Sequence, residues 1–190
     1  DSRKAILETM IGDIKIGITG LPGSGKTYAL LRVIDMLRES NLSIGGMMDE
    51  PLSDGRRKIG FTVKNLLTGE SQIFADTETE SKIMIGKIGV DISKFEEIAI
   101  PAIKEACEKC DVIIIDEVGK IEVESQLFID AVKDALDVNK PMILTLHKKS
   151  RNPLLQDIRR RDDVRILEVT PTNRNLLPYK IIRLMNGENV

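Results

Sequence analysis

Apolar and polar residues recur along this chain with two periods, and the switches between them divide it into elements. "DIKIGIT" (13–19) alternates as a first strand. A helix follows over roughly 26–40, with Ala29, Leu30, Val33, Ile34 and Leu37 at spacings of three and four on one stripe. Gly45 and Gly46 lead into "GGMMDEP", a second strand. From about 53 to 75 the grammar changes. A D-G turn, an alternating run (Ile59, Phe61, Val63), a T-G turn and another short β-prone run read as antiparallel hairpins rather than a βαβ crossover. Residues 76–90 are polar and then glycine-punctuated, and read as an excursion loop.

"DISKFEEIAIPAIKEACEKC" reads as a helix over 94–110, with Ser93 as its N-cap, Glu96 at the capping-box position and Pro101 as a kink. "DVIIID" (111–116) is an apolar run ending in a carboxylate, the pattern of a central parallel strand. Helix "ESQLFIDAVKDALD", strand "PMILTLH", helix "NPLLQDIRRR", strand "VRILEVT" and a closing, proline-interrupted helix "NRNLLPYKIIRLM" complete the chain. Repeated β-then-α units predict an α/β doubly wound domain with right-handed crossovers. The expectation is one domain over 13–190, a mostly parallel sheet with helices on both faces and a small antiparallel β-meander insertion. Residues 1–12 read as a short, partly helical tail.

Composition narrows the classes. A chain of 190 residues suits one well-buried domain. Charged residues make up 31% with a net charge of −2, so no basic excess predicts a nucleic-acid or membrane partner. No apolar run approaches the ~20 residues of a membrane span, and the opening residues lack the apolar core of a secretory signal. A cytoplasmic protein is expected. Cys107 and Cys110 close a helix, where the dipole disfavours a thiolate, and read as reduced structural thiols rather than a zinc or redox pair.

The stretch 20–27, "GLPGSGKT", matches G-x-x-x-x-G-K-[ST] at every defined position, between a strand and a helix. Gly20, Gly23 and Gly25 let the backbone wrap closely around a polyphosphate, with Leu21, Pro22 and Ser24 completing the loop. N–H groups at the helix start favour the anion. Lys26 bridges β- and γ-oxygens, and Thr27 offers its hydroxyl to Mg²⁺. Such a loop binds a nucleoside di- or triphosphate with magnesium.

"VIIIDEVGK" decides where the phosphate goes. Asp116 after four apolar residues reads as the Walker B acid that orients Mg²⁺. Glu117 beside it lies where a carboxylate polarises water for in-line attack; the alternative is an exposed strand-end acid or a partner of Lys120. Lys26, Asp116 and Glu117 are therefore the expected catalytic set, and Thr27 and Asp116 the metal ligands.

The succession "GLPGSGKT", "GRRKIGF", "KIGVDISKFEEIAIPAI", "VIIIDEVGKIEVESQLF" and "EVTPTNRNLLP" resembles the THEP family of small nucleoside-triphosphatases over about residues 15–180. The resemblance implies a three-layer P-loop NTPase fold and Mg²⁺-dependent, base-tolerant hydrolysis of ATP, GTP, CTP and UTP to the diphosphate and phosphate. It also implies nucleotide contacts along the loop and around the Walker B segment, here Val112, Ile113, Ile114, Ile115, Asp116, Glu117, Val118 and Gly119. Leu21 and Tyr28 depart from the residues commoner in the family.

Weaker signals stay open in both directions. His147 senses the γ-phosphate or orients water, or is simply a partly exposed histidine beside Lys148 and Lys149, and Thr145 is a second candidate for the same role. Arg159, Arg160 and Arg161 supply a finger to the transferring phosphoryl group or charge a helix C-terminus, and Arg56 and Arg57 pose the same choice in a hairpin turn. Asn173 and Arg174 contact the base, with Arg174 stacking on any base, or Thr170 to Asn173 simply cap the closing helix. Two rival functions are a nucleotide or nucleoside kinase, with its acceptor held by the meander and the 76–90 loop, and a nucleotide-dependent switch stimulated by a partner.

Overall fold

The computed structural model describes residues 14–188; the expected tail at 1–12 lies outside them. One nine-stranded sheet runs through the molecule. Its strands are β1 (Lys15–Gly20), β2 (Ile44–Asp54), β3 (Arg57–Asn65), β4 (Ser71–Asp76), β5 (Met84–Ile85), β6 (Ile88–Val90), β7 (Val112–Val118), β8 (Met142–His147) and β9 (Val164–Glu168). The spatial order is β5-β6-β4-β3-β2-β7-β8-β1-β9. The helices are α1 (Lys26–Glu39), α2 (Ile92–Lys109), α3 (Gln126–Leu136), α4 (Pro153–Arg160) and α5 (Leu177–Met185), with a 3₁₀ turn at Glu122–Glu124.

The helices form two layers because the central strands are apolar on both sides. In β7, Val112 and Ile114 join Leu30, Val33, Ile34 and Ile181 of α1 and α5 on one face. Ile113 and Ile115 join Phe95, Ile103, Val132 and Ile158 of α2, α3 and α4 on the other. A strand covered on both faces needs a continuous apolar run rather than alternation, which is what "VIIID" supplies. Phe74, Phe95 and Phe128 pack in series across the second layer, tilted and then edge to face, with ring centroids 5.1 and 5.4 Å apart.

The architecture is the expected three-layer α/β fold, and the meander within it is extensive. Among the described residues, four strand pairings are parallel and four antiparallel. Strand β2 joins the two halves: Ile44–Met48 run parallel to β7, and the strand then extends past β7 along β3. Gly46 sits at this junction with φ +120°, and a Cβ there would lie 1.8 Å from the Ile114 carbonyl oxygen, so no side chain fits.

Four local expectations are corrected. Residues 76–90 are not all loop, because Met84–Ile85 and Ile88–Val90 pair as a minimal hairpin at the sheet edge. The N-cap of α2 is Asp91, whose carboxylate accepts from the Lys94 N–H, while Ser93 Oγ donates to that same carboxylate at 2.6 Å. Glu96 closes no capping box and instead accepts from Ser125 Oγ at 2.6 Å, tying α2 to the start of α3. Pro178 begins α5 instead of interrupting it, a position at which its missing N–H costs nothing.

This topology sets the site. Strand β8 lies between β1, which leads into the glycine-rich loop, and β7, which ends in the acidic pair. The C-terminal ends of the three strands open onto one cleft.

Candidate active site

Residues 20–27 turn from β1 into α1. Gly20 ends the strand, the Ser24 N–H donates to the Leu21 carbonyl at 3.0 Å, and Gly25 caps α1 with φ +108°. That left-handed conformation strains any residue with a Cβ. No side chain caps α1 and its first turn carries no acid, so the positive end of the helix dipole faces the loop. Leu21, Pro22, Gly23 and Gly25 line the cleft, whereas the Ser24 side chain is turned inward and buried.

Lys26 reaches across the loop. Its Nζ donates to the Gly20 carbonyl at 3.2 Å and to Glu117 Oε2 at 3.1 Å. Thr27 Oγ1 donates to Asp116 Oδ2 at 3.2 Å, and Thr145 Oγ1 donates to the other oxygen, Oδ1, at 2.5 Å. Asp116 is thus gripped from two sides, by the first turn of α1 and by the neighbouring strand β8. Burial pushes its carboxyl up to about 6, against the lowering by the two hydroxyls and Lys26. A hydroxyl and a carboxylate side by side are hard oxygen donors of the kind Mg²⁺ takes, with the remaining positions left to phosphate and water. Among the described residues no group of three or more acidic, histidine or cysteine side chains forms a self-sufficient metal site. The donor set therefore fits a metal brought with phosphate.

The cleft has a volume of about 620 Å³. Of the segment 112–119, only Asp116 and Glu117 line it. Val112, Ile113, Ile114, Ile115 and Val118 are 0% exposed, and Gly119 is buried, so these six form the strand and its turn, not the nucleotide-facing surface the resemblance implied. Their packing holds the two acids at the strand end.

The opposite wall comes from the antiparallel half, through Pro51, Lys58, Phe61 and Ile85. Two further acids line the cleft, Asp49 from β2 and Glu122 from the 3₁₀ turn after β7; they interact with each other and were not singled out from the sequence. Asp49 follows Met48, which is in register with Asp116. Both Asp49 carboxyl oxygens are buried with no donor in reach, so the pair holds together when one of the two is protonated. Burial, reinforced by the charge of Glu122, holds Asp49 well above the usual carboxylate range, and burial pushes Glu122 up to about 7. The only sequence signal was an acid directly after each apolar segment.

The weaker candidates separate. Thr145 is wholly buried and orients Asp116. His147 is in register with Gly20 and lines the cleft. Arg159 donates to backbone carbonyls of the β8–α4 loop, Arg160 to Gln156, and Arg161 to Asp163 and Asp137, so none of the three lines the cleft. Arg56 and Arg57 are exposed at the hairpin turn. Asn173 braces the loop after β9, accepting from the Thr170 N–H and donating to the Glu168 carbonyl, both at 2.8 Å. Arg174 lies over the glycine-rich loop, with its Cδ 3.0 Å from where a Gly25 Cβ would stand and its guanidinium carbon 5.8 Å from the Tyr28 ring centroid. Cys107 and Cys110 are free thiols remote from the cleft, and burial raises both.

With this geometry in hand, comparison with known proteins is specific. Residues 15–182 match the model of a family described as NTPase. Nucleoside-triphosphatase THEP1 of Thermoplasma volcanium is 43% identical over 175 residues, covering 92% of this chain and 98% of that protein. The crystal structure of THEP1 from the hyperthermophile Aquifex aeolicus superposes with a TM-score of 0.79 at 33% identity, covering 90% of this chain and 99% of the other. The solution structure of a human cancer-related nucleoside triphosphatase gives 0.78 at 31% identity, over 93% and 100%.

Proposed function

This chain belongs to the NTPase family, as a nucleoside-triphosphatase of the P-loop fold, and from that premise we propose that it hydrolyses nucleoside triphosphates with Mg²⁺ and little regard for the base. The observation that carries the reading is the 3.1 Å contact between Lys26 Nζ and Glu117 Oε2. In a P-loop this lysine grips β- and γ-phosphate oxygens. A carboxylate within hydrogen-bond reach of it stands one side chain from the terminal phosphorus.

The residues divide the work. The loop amides and Lys26 hold and neutralise the triphosphate tail. Thr27 and Asp116 would hold the metal, which would supply charge screening to the phosphate tail. Glu117 orients a water and accepts its proton as the new P–O bond forms; the bond from the γ-phosphorus to the bridging oxygen breaks, releasing nucleoside diphosphate and orthophosphate. Arg174 and Tyr28 offer a guanidinium plane and an aromatic ring to the base, and stacking on a π-face does not read base edges. The names of the relatives do not favour the kinase alternative.

Orthophosphate release from ATP, GTP, CTP and UTP, each with Mg²⁺ and with chelator, tests this. The expected result is comparable turnover on all four, lost on chelation. Turnover indifferent to chelation, or confined to one base, rejects the corresponding part.

A further inference from the structure

One residue lining the cleft, His147, and one behind it, Arg159, have no part in the hydrolysis described above. His147 ends β8, the strand inserted between the loop strand and the acid-bearing strand, and lines the cleft beside Lys26 and Glu117. The loop it begins runs from 147 to the N-cap of α4 at Asn152. Arg159, on α4, reaches back to that loop. Its Nη2 donates to the His147 carbonyl at 2.5 Å and the Lys148 carbonyl at 3.1 Å, and its Nη1 to the Ser150 carbonyl at 3.0 Å.

We propose that His147 contacts the terminal phosphate through a neutral imidazole donating from Nε2, and that Arg159 is its positioning residue rather than an arginine finger. This rests on the reading of the cleft as a triphosphate site.

The tautomer follows from one contact. The Lys149 N–H donates to His147 Nδ1 at 3.3 Å, so that nitrogen is the acceptor and the ring proton sits on Nε2. The charged groups around the ring are Glu117 from β7, Lys120 after it, Lys26 from α1 and Arg159 from α4. Burial, joined by the three cations and opposed by Glu117, holds the imidazole below its usual pKa and so neutral at physiological pH. A neutral donor suits this place, because Lys26 already supplies the charge. Arg159 is committed elsewhere. Both terminal nitrogens of its planar fork are spent on three loop carbonyls, a pattern a lysine ammonium cannot reproduce. Removing Arg159 therefore moves His147 without removing any group from the phosphate.

The sequence has a single histidine, so an imidazole ¹H–¹⁵N spectrum of the whole chain reports on this ring alone. The expected spectrum is the Nε2–H tautomer, with the Nε2 resonance shifting more on addition of a non-hydrolysable triphosphate analogue with Mg²⁺ than with the diphosphate. Glutamine carries an amide near the Nε2 position and asparagine does not. His147→Gln should therefore retain most of the turnover, while His147→Asn loses about 10²-fold in kcat with KM little changed. Arg159→Lys should mix the two tautomers and lower kcat at unchanged nucleotide affinity, and its effect should vanish in the His147→Asn background. An Nδ1–H tautomer, a resonance indifferent to the triphosphate, or additive losses from the two positions would overturn the proposal while nucleotide still binds. Binding that survives Lys26→Ala unchanged would instead overturn the reading beneath it.

Discussion

The ammonium of Lys26 and the carboxylate of Glu117 form an ion pair at 3.1 Å, linking the glycine-rich loop to the end of β7 across the cleft. The pair is only partly shielded, with side-chain exposures of 13% and 30%, so its own contribution to stability is small. Its consequence is geometric. On the proposed function, a triphosphate in the loop would compete with Glu117 for Lys26, leaving the displaced carboxylate close to the γ-phosphate.

Substitutions on the two sides should therefore separate binding from chemistry. Lys26→Ala should weaken nucleotide affinity and cut turnover by at least ~10²-fold. Glu117→Gln should leave affinity intact or improved and lower kcat by ~10²–10⁴-fold. Titration with a fluorescent nucleotide alongside phosphate release distinguishes them, and an undiminished kcat in Glu117→Gln removes that residue from the reaction.

Thr145 carries a prediction that its distance from the loop in sequence conceals. Thr145→Val keeps the shape but withdraws the donor from a buried carboxylate, at about 1.5–3 kcal/mol. The expected outcome is a lower denaturation midpoint together with a weaker response to Mg²⁺, because Asp116 loses one of the two hydroxyls that orient it. Thr145→Ser should behave close to the parent. If Thr145→Val responds to Mg²⁺ as the parent does, Asp116 is not held by that bond.

The Asp49–Glu122 pair predicts how stability varies with pH. Both carboxyls are held above their ordinary values, with Glu122 at about 7. Between the ordinary carboxylate range and about pH 7 the folded protein therefore binds a proton that the unfolded chain has released. Stability contributed by the pair is fully present below that range and is lost as pH rises through about 7. Asp49→Asn supplies an N–H to the Glu122 carboxylate without a shared proton. Its denaturation midpoints at about pH 5 and about pH 8 should differ less than those of the parent. An equal or larger difference would show that the two acids do not share a proton.

Arg174 tests base tolerance. Arg174→Ala should weaken ATP, GTP, CTP and UTP by similar factors of about 3–30, the worth of one cation–π or stacking contact. Competition binding with all four nucleotides reads this directly, and a loss confined to one base would mean that Arg174 reads an edge.

Much of the fold was legible because its signals are local. The glycine spacing of 20–27, the three-and-four stripe of α1 and the unbroken apolar run of β7 each follow from the geometry of one element. The hairpin of β5 and β6 was not legible, since strands of two and three residues are too short to show a period. The cap of α2 was misplaced by two residues because Asp91 and Ser93 both suit the position, and only the backbone decides which side chain meets the Lys94 N–H.

The sequence by itself determined the α/β class, the phosphate-binding loop and the acids at the end of β7, because each is written in a contiguous run whose spacing matches one turn or strand. Tertiary structure alone decided the strand order that sets β8 between loop and acids. It also decided the meeting of Asp49 with Glu122, the grip of Thr145 on Asp116 and the commitment of Arg159 to loop carbonyls. These pairings join residues far apart in the chain, and partner choice across a sheet depends on register and packing, which no local pattern encodes.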